Sequence, residues 1–128
     1  MNVILWTLQI FLGIYFIAVG IEHFIVPPGL PDLFAWFYDL TQWLHYVTGT
    51  ASILGGLGLV LPGVFRIQTR LVPLAAAGLI LVMVGAIVFH ATRGETVSIG
   101  MNLLNVALLA FVAYGRWKLV PLKDRVVG

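Results

Sequence analysis

Cysteine is absent from the chain, which excludes disulfides, thiolate metal sites and cysteine nucleophiles. Charge is scarce. Asp, Glu, Lys and Arg make up 9% of the 128 residues, against 61% hydrophobic residues. A soluble domain of this length needs far more polar surface. No Gly-rich phosphate loop is present, and no Ser/His/Asp arrangement can be argued. The net charge is only +2 and the basic residues cluster in two loops. That distribution is a topology signal, since a nucleic-acid partner calls for a larger basic surface. No Lys or Arg precedes the first apolar run, which begins MNVILWTLQI. A cleaved signal peptide is therefore not expected, despite the likeness of Ala18-Val19-Gly20 to a cleavage site.

What is present is four apolar stretches, each long enough to cross a hydrocarbon core. They predict spans over about 3–26, 43–61, 71–90 and 99–115. Pro27-Pro28 stops the first span and Pro62-Gly63 follows the second, while Pro73 falls in the first turn of the third, where proline is tolerated. The expected fold is all-α: an integral membrane four-helix bundle forming one four-span domain over residues 1–128. Between the first two spans, Asp32 is placed to cap a short helix carrying Leu33, Trp36, Phe37 and Leu40 at helical spacing. With Tyr38, Trp43 and Tyr46 nearby, that helix suits the headgroup layer. The alternative is an N-terminal extension of the second span.

Wheel positions sort the polar and small residues into stripes. The first helix aligns Gln9, Gly13, Phe16, Gly20 and His23, with Glu22 a quarter turn away. The second aligns Thr41, His45, Thr48, Gly49, Ser52 and Gly56. The third places Ala76, Leu79, Met83, Ala86 and His90 on one side, with Gly78 and Gly85 on another. The fourth aligns Asn102, Asn105, Leu109, Val112 and Arg116. Small, polar stripes are expected to face protein, because lipid offers them no hydrogen-bond partner and glycines permit close backbone approach.

Six of the seven basic residues fall on one side of this topology: Arg66, Arg70, Arg116, Lys118, Lys123 and Arg125. Arg93 alone lies on the other, with Asp32, Asp39 and Glu95. The positive-inside rule then places the N- and C-termini in the cytoplasm. The same topology gathers Glu22, His23, His45, His90 and Asn102 near the outer face, with Ser52 and Asn105 one or two turns deeper. The inner half offers mainly Gln9.

Such a cluster has several readings. Interhelical hydrogen bonding alone accounts for many polar groups in membrane helices. Neutral His and Asn side chains can also hold the carbonyl oxygens of a quinone or another lipid-soluble ligand between apolar walls. Three imidazoles and Glu22 suit a metal less well, because no HxxxH or HExxH spacing supports it. Proton movement through Glu22 and a histidine lacks a polar path to the inner face. Haem ligands are expected nearer mid-bilayer.

From Gly49 onward the chain resembles the DoxX-like family of small four-helix bacterial membrane proteins. The resemblance rests on TGTASILGGLGLVLP, LVPLAAAGLILVMVGAIVFHATRGE and NLLNVALLAFVAYGRW. Gly20-x-x-His23 is similar in placement to a Gly-x-x-Lys feature of that family, with histidine replacing lysine. Ser52 stands where many relatives carry glutamate. The resemblance implies a bacterial plasma-membrane protein. Through the membrane subunit of a thiosulfate:quinone oxidoreductase that names the family, it also implies quinone-linked redox chemistry and a soluble redox partner. The reading adopted is a DoxX-like membrane subunit with a polar ligand pocket near the outer face, formed by Glu22, His23, His45, Ser52, His90, Asn102 and Asn105. The alternatives are an accessory or scaffold protein that binds partner membrane proteins, or further copies of itself, through its small-residue stripes, and a small transporter or metal-handling protein.

Overall fold

The computed structural model describes residues 1–126. Its main elements are four α-helices: α1 Asn2–Ile25, α2 Gln42–Phe65, α3 Leu71–Arg93 and α4 Thr96–Tyr114. A 3-10 helix, Asp32–Asp39, joins α1 to α2, and a π-helical turn, Gly115–Leu119, extends α4. All four long helices are apolar enough to cross a membrane, and their outward faces are rich in large exposed apolar side chains. With no water in a hydrocarbon core, this is the stable arrangement: each helix satisfies its own backbone and turns apolar groups outward. The chain is a multi-pass membrane protein in contact with the lipid bilayer.

Three boundaries differ from the sequence reading, each for a local reason. α2 runs through Pro62 to Phe65, because proline removes only one donor and the helix closes beyond it. Arg66 adopts a left-handed conformation at φ 57° and its N–H reaches the Pro62 carbonyl. α3 continues past His90 to Arg93, where Gly94 at φ 71° supplies the left-handed cap that glycine takes without steric cost. α4 begins at Thr96, so the α3–α4 connection is only Gly94 and Glu95. The interfacial segment is a 3-10 helix preceded by Pro31, and Asp32 is its first residue rather than a side-chain cap.

α1 packs on α2, α2 on α3 and α3 on α4, with much slighter contact between α1 and α4. The core between them comprises Leu12, Phe16, Leu59, Val72, Ala76, Leu79, Met83, Leu109 and Val112. The α1–α2 seam is the closest approach. A Cβ on Gly56 would lie 2.6 Å from the Gly13 carbonyl oxygen and 2.8 Å from Ile17 Cγ1. A Cβ on Gly49 would lie 2.9 Å from the Gly20 carbonyl oxygen. Two glycine pairs thus let antiparallel backbones touch, the arrangement that small residues make available in membranes. By contrast, nothing lies within 4 Å of a Cβ on Gly78 or Gly85.

That difference sets a test. Gly56→Leu forces overpacking, a change that costs roughly 1–3 kcal/mol in packed sites, and lowers the melting temperature in detergent. Gly85→Leu leaves it nearly unchanged. An equal response of the two variants would show that the seam is not where the helices are pressed together.

Candidate functional site

The end of the bundle that holds the 3-10 helix gathers all three histidines of the chain. His23 lies in the last turn of α1 and His45 in the first turn of α2, both buried. The Gly20–Gly49 contact brings them together, and their Nδ1 atoms are 2.9 Å apart. One proton lies between two such nitrogens. One ring therefore carries Nδ1–H, and the other accepts at Nδ1. In a neutral pair, the first ring keeps a lone pair at Nε2 and the second carries Nε2–H. The pair thus offers one acceptor and one donor beyond its own hydrogen bond.

Phe37, itself 5% exposed, covers this pair. Its ring centroid is 4.6 Å from that of His23 and 4.7 Å from that of His45. The neighbouring Trp36 reaches the other side of the bundle, edge-on to His90 at 4.6 Å. The 3-10 helix is therefore an aromatic lid over three imidazoles. Its Trp36 Nε1 is buried without a hydrogen-bond partner.

His90 does not join the other two histidines around one point. Its Nδ1 is 3.1 Å from Glu95 Oε1, the carboxylate that the two-residue connection folds back over the end of α3. Arg93 Nε donates to the same oxygen at 2.8 Å, and an Arg93 terminal nitrogen donates to Asp39 Oδ2 at 2.6 Å. Asp39 is the last residue of the lid. The chain His90–Glu95–Arg93–Asp39 thus fastens the lid to the α3–α4 hairpin. Partial burial pushes the Glu95 carboxyl up, but hydrogen bonds from His90 and Arg93 and their nearby charge outweigh it and hold the group below its ordinary value.

The remaining sequence-selected residues are placed differently. Ser52 is 1% exposed on the His45 face, about 10 Å deeper by helical rise, and its hydroxyl has no partner. Asn102 and Asn105 are half-buried on α4. Glu22 is exposed on the outside of α1 and is not part of the imidazole cluster. Among the described residues, no group of three or more His, Asp or Glu side chains is arranged to hold a metal ion.

The sequence does not mark Trp36, Phe37 or Asp39 as site residues. Their signal was the aromatic density of the 32–40 segment, which reads equally well as an interface anchor. The opposite end of the bundle also holds more than Gln9. Arg116 is 3% exposed and donates to Gln9 Oε1 at 2.5 Å and to Asn2 Oδ1 at 2.8 Å.

Four apolar spans in sequence order, glycine-pressed at α1–α2 and closed at one end by an aromatic connector, define a small four-helix membrane bundle. The model of the DoxX-like family matches residues 7–115, and the chain belongs to that family. No curated protein and no solved structure matches it.

The latch predicts a pH effect. A carboxylate whose folded value is depressed contributes stability above its ordinary value, and that contribution is lost as pH falls through the folded value. The melting temperature therefore drops on acidification below about pH 4, the ordinary glutamate range. Glu95→Gln starts lower at neutral pH and shows a smaller acid drop. Superimposable pH curves for the two proteins would remove Glu95 from the latch.

Proposed function

We propose that this DoxX-like protein is a membrane subunit of a quinone-linked redox system, and that the lidded histidine end receives the quinone. The observation that carries this reading is the buried His23–His45 pair. Its internal Nδ1 contact leaves one donor and one acceptor, the complement that a quinone carbonyl and a quinol hydroxyl require. Aromatic walls from Phe37, Trp36 and Phe89 suit a flat ring. The unpartnered Ser52 hydroxyl and Trp36 Nε1 add polar capacity that the folded chain itself leaves unused. Buried groups of this kind carry a desolvation cost unless something completes them. His90, Asn102 and Asn105 flank the site in this reading, and Glu22 faces a partner or the headgroup layer. Lid movement away from the imidazoles gives access.

In this reading the protein sits in the bacterial plasma membrane, as the family resemblance implies, with both termini cytoplasmic, which the bias of basic residues to one end supports. The histidine end then opens toward the outer leaflet, and a soluble redox partner or a second copy completes the working assembly.

A second reading has one observation in its favour. The glycines of α1 and α2 are consumed within the chain, but Gly78 and Gly85 on α3 have nothing within 4 Å. A partner helix could pack there, as the accessory or scaffold reading requires. Co-purification in mild detergent separates the two: retained quinone supports the first reading, and a retained membrane protein without quinone supports the second.

Two measurements test the first reading directly. Titration of a short-chain ubiquinone quenches tryptophan fluorescence saturably in the wild type, through Trp36. His45→Ala abolishes that quenching, while its melting temperature falls by no more than a membrane hydrogen bond explains, about 0.6–1.7 kcal/mol of stability. Absence of saturable quenching in the wild type would end the quinone reading. For orientation, a reporter fused at the C-terminus is active in the cytoplasm, and periplasmic activity would invert the depth of every residue above.

A further inference from the structure

Arg116 presents an electrostatic problem that the described residues do not solve. It lies in the π-helical turn that extends α4, on the face of the buried Leu109 and Val112, and it is 3% exposed. Its Nε donates to Gln9 Oε1, and one terminal nitrogen donates to Asn2 Oδ1 at 2.8 Å and to the Val120 carbonyl at 3.0 Å. Its guanidinium also lies 5.5 Å from the centroid of the Trp6 ring. Every one of these partners is neutral. Among the described residues, no carboxylate lies within 4.0 Å of it. The second terminal nitrogen is buried and has no hydrogen-bond partner among the described residues. A guanidinium stays charged in proteins, and a buried charge calls for an opposite one.

Arg116 also lines a cleft of about 200 Å³, together with Thr69, Arg70, Pro73 and Trp117. A water occupies about 30 Å³ of liquid volume, so the cleft has room for a compact polar group. Arg70 is exposed and brings a second permanent charge to the wall. Trp117, 54% exposed, marks the level where tryptophan sits among headgroups. The nearby carboxylate of Asp124 accepts from both donors of Thr69, at 2.8 Å and 2.6 Å, and lies near enough to Arg70 to share part of its charge. Arg116 has no acidic neighbour within 4.0 Å among the described residues. The π-helical turn Gly115–Leu119 carries both Arg116 and Trp117, and such turns recur at functional sites.

We propose that this cleft at the basic end is a phosphate-binding site, in which the Arg116 guanidinium and Arg70 hold the phosphate of an anionic lipid headgroup or a free phosphate ion. A planar guanidinium with free N–H groups matches phosphate oxygens. The proposal is independent of the quinone reading, because it concerns the opposite end of the bundle and different helices.

The test is native mass spectrometry of the full chain from mild detergent, titrated with phosphatidylglycerol, a neutral glycolipid lacking phosphate, and inorganic phosphate. Phosphatidylglycerol remains bound to the wild type, and the glycolipid does not. Arg70→Gln, a surface change that leaves Arg116 and its partners intact, weakens binding about tenfold, as expected for loss of one charge-assisted hydrogen bond. Lys118→Gln, which removes an exposed charge outside the cleft, leaves binding unchanged. Arg116→Gln abolishes retention if it folds; the Arg70 variant carries the test if it does not. Displacement of the lipid by millimolar inorganic phosphate identifies the free ion as the ligand, and resistance to displacement identifies the lipid. The site is overturned if neither phosphate source binds, if the glycolipid binds as well as phosphatidylglycerol, or if Lys118→Gln weakens binding as much as Arg70→Gln.

Discussion

The contact of α1 with α2 sets the geometry of both ends of the molecule. Gly13 meets Gly56 and Gly20 meets Gly49 with backbone atoms in the space a side chain would fill. Lipid tails are as apolar as leucine, so helix association rests on packing and hydrogen bonds rather than on expulsion of water. A seam this close aligns what lies beyond it. At one end His23 is delivered to His45. At the other, Gln9 crosses to the Leu59 carbonyl through its side-chain amide nitrogen at 2.8 Å. That bond fixes the Gln9 amide so that its oxygen faces Arg116. The Gly49 position shows the dependence most sharply, since a Cβ there would sit 2.9 Å from the His23 Cβ. Loss of the seam would separate the imidazole pair before any change to the histidines themselves.

The two ends answer the same constraint differently. The histidine end meets its polar load with paired imidazoles, a covering aromatic layer and charges kept at the rim. Arg93 there is about one-third exposed and Asp39 more than half exposed, so their pairing is partly screened by water. Its role is to hold the lid in position rather than to supply much stability. The basic end places a permanent charge inside and surrounds it with dipoles. Asn2, Gln9 and Val120 satisfy geometry without cancelling charge. α1 and α4 otherwise touch little, so this polar knot also closes the bundle where packing alone does not.

Much of this was legible in the sequence, because membrane helices expose few ambiguities. Apolar runs gave four spans, and helical periodicity placed Gln9, Gly13, Phe16, Gly20 and His23 on one face. All five are buried. The stripe on α2 placed His45, Gly49, Ser52 and Gly56 correctly for the same reason. Trp36 and Phe37 were harder. In a connector, their burial depends on how the chain crosses the bundle mouth, which periodicity within eight residues does not encode. Asp39 and Arg93 are far apart in sequence, and their meeting depends on that crossing. The sequence suggests a longer α3–α4 turn because polar residues at a helix end look like loop, whereas Thr96 and Ser98 are helical.

Arg116 was on the correct wheel face in the sequence, in line with Leu109 and Val112, yet a basic residue near the end of a span reads first as an interfacial group. Snorkelling is the usual outcome for such a side chain. Here three features oppose it. Gly115 lets α1 approach, since a Cβ there would lie 2.6 Å from Leu5 Cδ2. The approach brings Asn2 and Gln9 within reach, and Trp6 covers the guanidinium face. Each of those residues is polar or aromatic on the first helix, at positions 2, 6 and 9, a spacing that puts them on adjoining turns of one side. Two polar groups and an indole at one end of an otherwise apolar span suit a charge brought to them. The charge in question is on the last helix, which places the closing contact of the bundle between its first and final elements.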